Sequence, residues 1–443
     1  MITTLPNVTI EKLIQGGRGL ARADGQVLFV SGAIPGETVT AALGRAHKSY
    51  REAAVQEVLA ASPDRVDAPC PAYRHCGGCQ LQHIGYDAQL RYKREILAET
   101  LARVGKLQVD VPPIVPSPSP YGYRSSVRFL VFRSPTGLAL GFHEEGSHTP
   151  VAAAGCLLVS ETMRTTIAGV QERLARCGKL PLRVEAVEIR SSTAFGSTLL
   201  SWRTGPATSA QAQKLCALFG DLPDIVGQVV TASGDGGRGQ SAGSGSRGRP
   251  QRWIVGQEWI ADRLDDLLFR ISDRSFMQAN WLLMDLLVRT LVAWAAPSSG
   301  VKVLELYAGI GVLGLPLARR GALVTEVEAN RWALADARHA ANTNHIGRCR
   351  FRHAKAEDCL DTTVPGDYDL ILVEPPRTGL SRESLQGLLV ANVPRLLYLS
   401  RDPATLARDL GTLGAGGYRL ARLQAFDMFA QTAHLETLAE VVR

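Results

Sequence analysis

"VKVLELYAGIGVLGLPLARRG", residues 301–321, is the stretch on which the fold turns. Residues 301–306 form an apolar run of strand length, broken only by Lys302 and Glu305. The run leads directly into Gly309, Gly311 and Gly314, spaced G-x-G-x-x-G. The apolar residues that follow read as a helix stopped at Gly321. Strand, glycine turn and helix in that order make the first unit of a parallel sheet, with glycines where the backbone must approach a ligand closely. The unit recurs: "ALVTEVEANRWALADARHAANTN" (322–344), "RCRFRHAKAED" (348–358), "DLILVEPPRTGL" (369–380) and "LLYLSRDPATLARDL" (396–410). Such repetition predicts an α/β domain over 271–443, a doubly wound, Rossmann-like sheet with helices on both faces.

Upstream of this domain the pattern differs. Residues 1–62 carry short β-rich runs at 8–10, 27–30, 37–42 and 53–59 between glycine-bearing turns, as in a small N-terminal β-barrel. Residues 63–270 read as an α+β central domain. Within it "TASGDGGRGQSAGSGSRGRPQ" (231–251) has almost nothing to bury and is predicted to be a flexible insertion.

Composition sets the class. A hydrophobic content of 45% in 443 residues excludes wholesale disorder. The chain has no apolar run of membrane-spanning length, and "MITTLPNVTIEKL" lacks the layout of a signal peptide. A cytoplasmic monomer with no membrane partner is expected. The net charge of +7 and pI near 9.0 favour an anionic partner such as nucleic acid, although a solvated basic surface gives the same total. Lys93 and Arg94, together with Arg124 and Arg128 in "YGYRSSVRFL" (121–130), are the candidate phosphate contacts.

The eight cysteines are unevenly spread. In "CPAYRHCGGCQLQH" (70–83) Cys70, Cys76 and Cys79 lie within ten residues, and Gly77 and Gly78 allow the backbone to wrap. Clustered thiols without a secretory context indicate a metal site more readily than disulfides. A fourth ligand is required, and Cys156 in "AAGCLLVS" (153–160) is next in sequence. Cys177 and Cys216 read as buried thiols. Spacing alone does not separate zinc from an iron–sulfur cluster.

The glycine turn is equally ambiguous, since dinucleotide oxidoreductases and S-adenosylmethionine enzymes both use it, each with an acid such as Glu328 on the ribose. With the cysteines, an iron–sulfur dinucleotide oxidoreductase is one reading. Tyr307 before the glycines and Glu305 at the strand end favour S-adenosylmethionine, because a carboxylate there can meet the cofactor's cationic amino-acid end.

Taken together, the barrel, the cysteine motif with Cys156, "SFMQAN" (275–280), "LELYAGIGVLGL" (304–315), "VEANRWALADAR" (327–338), "EPPRTGL" (374–380), "SRDPATLARDL" (400–410) and "HLET" (434–437) resemble one family. It is the RNA uracil-5-methyltransferases with an N-terminal TRAM barrel, and the resemblance runs nearly end to end. It implies a class I methyltransferase domain acting on rRNA or tRNA, and a [4Fe–4S] cluster on Cys70, Cys76, Cys79 and Cys156. It also implies S-adenosylmethionine held by Gln278, Tyr307, Gly309, Gly311, Glu328 and Glu374.

The departures from the family bear on the chemistry. Family members carry cysteine-asparagine where this chain has Arg401 and Asp402, aspartate at Glu374 and at Lys355, and glycine at Glu326. The family's cysteine thiolate adds to uracil carbon 6, which activates carbon 5 for methylation, and a base then removes the carbon 5 proton. The base position persists as Glu436. Arginine, always protonated and without a free lone pair, cannot replace the thiolate. Its plain role is a salt bridge or phosphate contact. Cys359, after the third strand, is a core residue on this reading rather than a substitute nucleophile. Two outcomes are consistent with these residues: methylation at an atom that needs no covalent activation, or an RNA-binding relative without catalysis.

Overall fold

The computed structural model describes residues 3–23, 25–233 and 250–443, so residues 234–249 of the predicted insertion lie outside them. The chain forms two compact units. One comprises Met1–Pro120, Pro375–Leu385 and Tyr398–Arg443, the other Tyr121–Glu374 and Gln386–Leu397.

The first unit opens with six strands, Thr4–Thr9, Lys12–Ile14, Arg18–Ala23, Gln26–Ser31, Thr38–Ala46 and Arg51–Ala60, in the sheet order first, fifth, sixth, fourth, third, second. They wrap a core of Val8, Ile10, Leu28, Val30 and Val39. Each β-rich run read from the sequence overlaps one of these strands. Arg18–Ala23 and Lys12–Ile14 escaped that reading because their glycine and charged residues hide the alternation.

In the same unit the helix Tyr86–Arg103 lies beside the helix Pro403–Ala415. Two glycines permit the approach: a Cβ on Gly105 would stand 2.8 Å from the Ala407 carbonyl oxygen, and one on Gly411 would stand 3.1 Å from that of Gly105. Lys93 is not on a polar face of its helix. It is 3% exposed, and its Nζ donates to Asp427 Oδ1 at 2.6 Å, a buried ion pair that removes it from the candidate phosphate contacts. Arg94 is likewise occupied, donating to the Val111 carbonyl and to Asp110.

The second unit contains a seven-stranded sheet in the order Gln251–Gly256, Ile225–Ala232, Thr198–Thr204, Val184–Ser191, Ser126–Ser134, Gly137–His143, Pro150–Ala152. Its core, which includes Phe129, Ile189, Leu200 and Trp202, also takes in Met163, Ile167, Val170 and Leu174 of the helix Glu161–Arg176. Arg128 on this sheet is paired with Glu188 at 2.6 Å. A hairpin follows, Trp259–Leu264 and Leu267–Ser272. It is closed by Asp265 and Asp266, both at positive φ (47° and 62°), as a two-residue turn of matching twist requires.

Beyond the hairpin come the predicted βα units. Four parallel strands stand side by side in the order Cys349–His353, Leu323–Glu328, Lys302–Leu306, Leu370–Val373, that is third, second, first, fourth. The order reverses between Lys302–Leu306 and Leu370–Val373, and open α/β sheets bind their ligands at the carboxyl ends of strands flanking such a switch point. Val303, Leu304, Leu306, Ile371 and Leu372 are buried, as expected for strands covered on both faces. No helix among the described residues is long and apolar enough to cross a membrane.

Candidate functional site

The switch point gathers the residues singled out for the cofactor. Tyr307 leaves the first strand at φ 62°, a conformation uncommon outside glycine and one that often marks functional turns. Gly309 (φ 59°) and Gly311 (φ 83°) continue the turn. A Cβ on Gly309 would meet nothing within 4 Å, so that glycine leaves open space beside the backbone. Gly314 is different, since a Cβ there would stand 2.2 Å from Glu305 Oε2, so a side chain would have to displace the Glu305 carboxyl.

Glu328 closes the second strand and ties the turn to the next helix. Its Oε2 accepts from Gly309 N at 2.9 Å and its Oε1 from Asn330 N at 2.7 Å. Asn330 in turn caps the helix Arg331–Thr343 through its side chain. At the fourth strand Glu374 accepts from Gln278 Nε2 at 2.8 Å, while Gln278 Oε1 is buried with no partner among the described residues. Asp336 fixes the loop that delivers Gln278, holding Arg270 at 2.6 Å, the Ser272 amide at 2.9 Å and the Ser275 hydroxyl at 2.5 Å. The geometry therefore brings Gln278 to Glu374 and Glu328 to Gly309, around an open glycine turn. An orphaned buried acceptor, an open cradle and a ribose-height carboxylate together fit S-adenosylmethionine.

Beneath the turn lies a feature that no motif announced. Glu305 and Glu326 face each other across the first and second strands, and both are buried. Burial, and then the neighbouring Glu326 and Glu374, push the Glu305 carboxyl well above its ordinary range, and burial pushes Glu326 up to about 8. Register alone produces the pair, and it was invisible before the strands were aligned. Lys355, by contrast, is an exposed residue at the start of the short helix Ala356–Leu360.

Arg401, Asp402 and Glu436, singled out in the sequence for the reaction, belong to the other unit. Arg401 is half-buried directly after the strand Arg395–Ser400. Asp402 caps the helix Pro403–Ala415, accepting from Ala404 N at 3.0 Å and Thr405 N at 2.9 Å, and it also accepts from Gln15 Nε2 at 2.8 Å. Glu436 is fully buried at the start of the last strand, opposite Phe426. The loop after the two prolines is set by Asp409, which accepts from Leu380 N at 2.9 Å and from the Tyr398 hydroxyl at 2.7 Å. Cys359 is buried with a raised thiol pKa, first because of that burial, which suits a core residue and not a nucleophile. Cys216 is also a buried thiol, raised to about 11.

Cys70, Cys76 and Cys79 are half-buried in the first unit, Cys156 is half-buried in the second, and none of the four forms a disulfide. Their loop is turn-rich, with Tyr73 N donating to the Cys70 carbonyl, Cys76 N to that of Ala72, and Gly78 N to Cys76 Sγ at 3.4 Å. Thiols that receive backbone N–H groups are suitable donors for a soft metal centre. Even so, no group of three or more His, Cys, Asp or Glu side chains among the described residues is placed to hold a metal ion.

Comparison with known proteins bears on the whole chain. Residues 245–441 match the family model for tRNA (uracil-5-)-methyltransferase, and residues 6–55 match that of the TRAM domain. An uncharacterized RNA methyltransferase of Aquifex aeolicus is 34% identical over 435 residues, covering 98% of this chain and 97% of the relative. The 23S rRNA (uracil(1939)-C(5))-methyltransferase RlmD of Shewanella amazonensis is 34% identical over 433 residues, covering 97% and 94%. Among solved structures, the tRNA (uracil-54, C5)-methyltransferase of Pyrococcus abyssi in complex with S-adenosyl-L-homocysteine superposes with a TM-score of 0.74. It is 24% identical and the match covers 98% of this chain and 99% of that one, a likeness of fold.

Proposed function

Because the chain belongs to the RNA uracil-5-methyltransferase family of S-adenosylmethionine-dependent enzymes and carries a TRAM domain, we propose that it methylates RNA at an atom needing no covalent activation. One contrast carries this reading: Gln278 meets Glu374 and Glu328 holds Gly309 around the glycine turn, with glutamate at 374 in place of the family's aspartate, while a guanidinium stands where the family places its thiolate.

S-adenosylmethionine, when bound, supplies an electrophilic methyl group. Glu328 offers the lone pairs left by its two backbone donors to ribose hydroxyls, and Gly309 and Gly311 let the backbone close on the ligand. Glu374 is the acid for the cofactor's ammonium end, whereas the buried Glu305, its carboxyl pushed well above the ordinary range, favours its neutral form beneath the turn. Arg401 cannot attack carbon 6 of a pyrimidine, since a protonated guanidinium has no free electron pair, but it can hold a phosphate or carboxylate in bidentate fashion. Glu436 is the candidate base for a proton released from the methylated atom.

A [4Fe–4S] cluster on Cys70, Cys76, Cys79 and Cys156 belongs to the same reading on the strength of its donor set alone, and no step depends on it. The substrate is rRNA or tRNA, the classes named for the relatives. Neither a non-catalytic RNA-binding role nor an iron–sulfur dinucleotide oxidoreductase gains support from the fold or the relatives.

The test uses rRNA and tRNA with methyl-labelled S-adenosylmethionine, beside RNA containing 5-fluorouridine. Label should appear in a nucleoside other than 5-methyluridine, and no covalent adduct should survive a denaturing gel. Absence of S-adenosylmethionine binding would remove the reading. A wild-type adduct would show that another residue serves as nucleophile.

A further inference from the structure

In the first turn of the helix that follows Glu328, a partly exposed tryptophan has two cations packed on its ring. Trp332, in the first turn of the helix Arg331–Thr343, is 39% exposed, a large apolar surface to leave in water. The guanidinium carbon of Arg274 lies 4.1 Å from its ring centroid and that of Arg331 lies 4.6 Å away, both within cation–π range. We propose that Arg274, Trp332 and Arg331 form a docking platform for the RNA substrate, the indole and guanidinium planes stacking on one unpaired base and the two cations meeting its flanking phosphate. The proposal rests on the RNA-methyltransferase reading and gives it a contact surface.

Charge supports the assignment. Arg252 is matched by Glu258 at 2.6 Å and also pairs with Asp273, whereas neither Arg274 nor Arg331 has an ion-pair partner among the described residues. The Arg274 guanidinium is held below its ordinary range first by partial burial and then by the positive charge of Arg252 and Arg331, against the pull of Asp273 and Glu258. Unpaired like charges crowded together raise one another's energy, and an anion between them relieves it. A merely solvated helix face requires neither an exposed indole nor two unmatched guanidinium groups packed on it.

Position supports it as well. Asn330 Nδ2 donates to the Arg274 carbonyl at 2.8 Å, and Asn330 Oδ1 accepts from Trp332 N at 3.0 Å. The same residue's amide donates to Glu328, which holds Gly309. Three hydrogen-bonded residues thus fix the stack to the cofactor turn, at the carboxyl end of the second strand, where substrates of open α/β sheets gather. Aromatic and arginine stacking is tolerant of base identity, so the platform adds affinity and orientation without reading sequence.

The measurement is the affinity of the full-length protein for single-stranded oligoribonucleotides across a salt series, alongside calorimetry with S-adenosylmethionine alone. Trp332→Ala should weaken RNA binding roughly tenfold, as loss of one stacked base does, while Trp332→Phe should keep most of it. Arg331→Ala should lower the slope of log affinity against log salt by about 1. All three variants should bind S-adenosylmethionine as the wild type does. RNA affinity and salt slope unchanged in Trp332→Ala and Arg331→Ala, with the wild type binding well, would overturn the platform and leave the methyltransferase reading standing. Parallel loss of S-adenosylmethionine binding in Trp332→Ala would also overturn it, because the indole would then be supporting the turn. A wild type that binds no RNA would remove the parent reading and the platform with it.

Discussion

Glu326 is the residue whose protonation governs the ground beneath the cofactor. It lies opposite Glu305 on the neighbouring strand, and its Oε2 would be 2.9 Å from a Cβ on Gly311, so it sits directly under the turn. Two buried carboxyls this close cannot both ionise cheaply. In the unfolded chain Glu326 titrates near its ordinary 4.5, whereas in the folded protein it keeps its proton up to about 8. The folded state therefore binds more protons across that window, and stability must fall as pH rises through it, with the full penalty present above about 8. Glu326→Gln removes the ionisation. The variant should melt several degrees above wild type at pH 9 and close to it at pH 4.5, read by thermal unfolding across pH. Identical pH dependence in the two proteins would mean that Glu326 does not hold a proton against the turn. Sequence alone marked both acids, Glu305 as closing a strand and Glu326 as a departure from the family. Their mutual placement needed the strand register, which is set by long-range pairing and not by local pattern.

At the scale of elements, the helix Pro403–Ala415 shows what local sequence can specify. Asp402 followed by Pro403 is a start signal in its own right, an acceptor for the orphan amides and then a residue with no amide to satisfy. The strand before it and the helix after it were accordingly legible. The cap has a measurable consequence: Asp402→Ala should cost about 1 kcal/mol in urea unfolding, while Asp402→Asn, the family's residue, should change stability by only a few tenths of a kcal/mol. An alanine variant as stable as wild type would show that the Ala404 and Thr405 amides find other acceptors. The helix Tyr86–Arg103 shows the opposite case. Its buried positions, Ala88, Gln89, Tyr92, Lys93, Leu97 and Leu101, include a lysine that periodicity assigns to water. Lys93 is buried because Asp427, more than three hundred residues away, supplies its counter-charge. No helical pattern encodes such a partner, and the reading of Lys93 as a phosphate contact failed for that reason.

For the whole molecule, motif order along the chain announced the parts but not how the chain folds back. The compact unit that begins at Met1 is completed by Pro375–Leu385 and Tyr398–Arg443, so Arg401 and Glu436 belong with the N-terminal barrel and the cysteine loop, whereas the glycine turn belongs to the other unit. Cysteine spacing is where this matters most. Three thiols within one ten-residue loop are a strong donor set, although no group of three such side chains among the described residues is placed to hold a metal ion. If the thiols do carry the cluster that the resemblance implies, its binding energy is folding energy, because thiolates converge only when something draws them together. Protein purified without oxygen should then be brown, with about four irons per chain, and Cys76→Ser should lose the iron and lower the melting temperature. Removing iron from the wild type with a chelator should lower the melting temperature by a similar amount. Colourless protein with one zinc per chain would replace the cluster by a structural zinc site. Protein that is purified without oxygen yet holds no metal, and whose melting temperature neither a chelator nor Cys76→Ser lowers, would show that the cysteine loop stands on its hydrogen bonds alone.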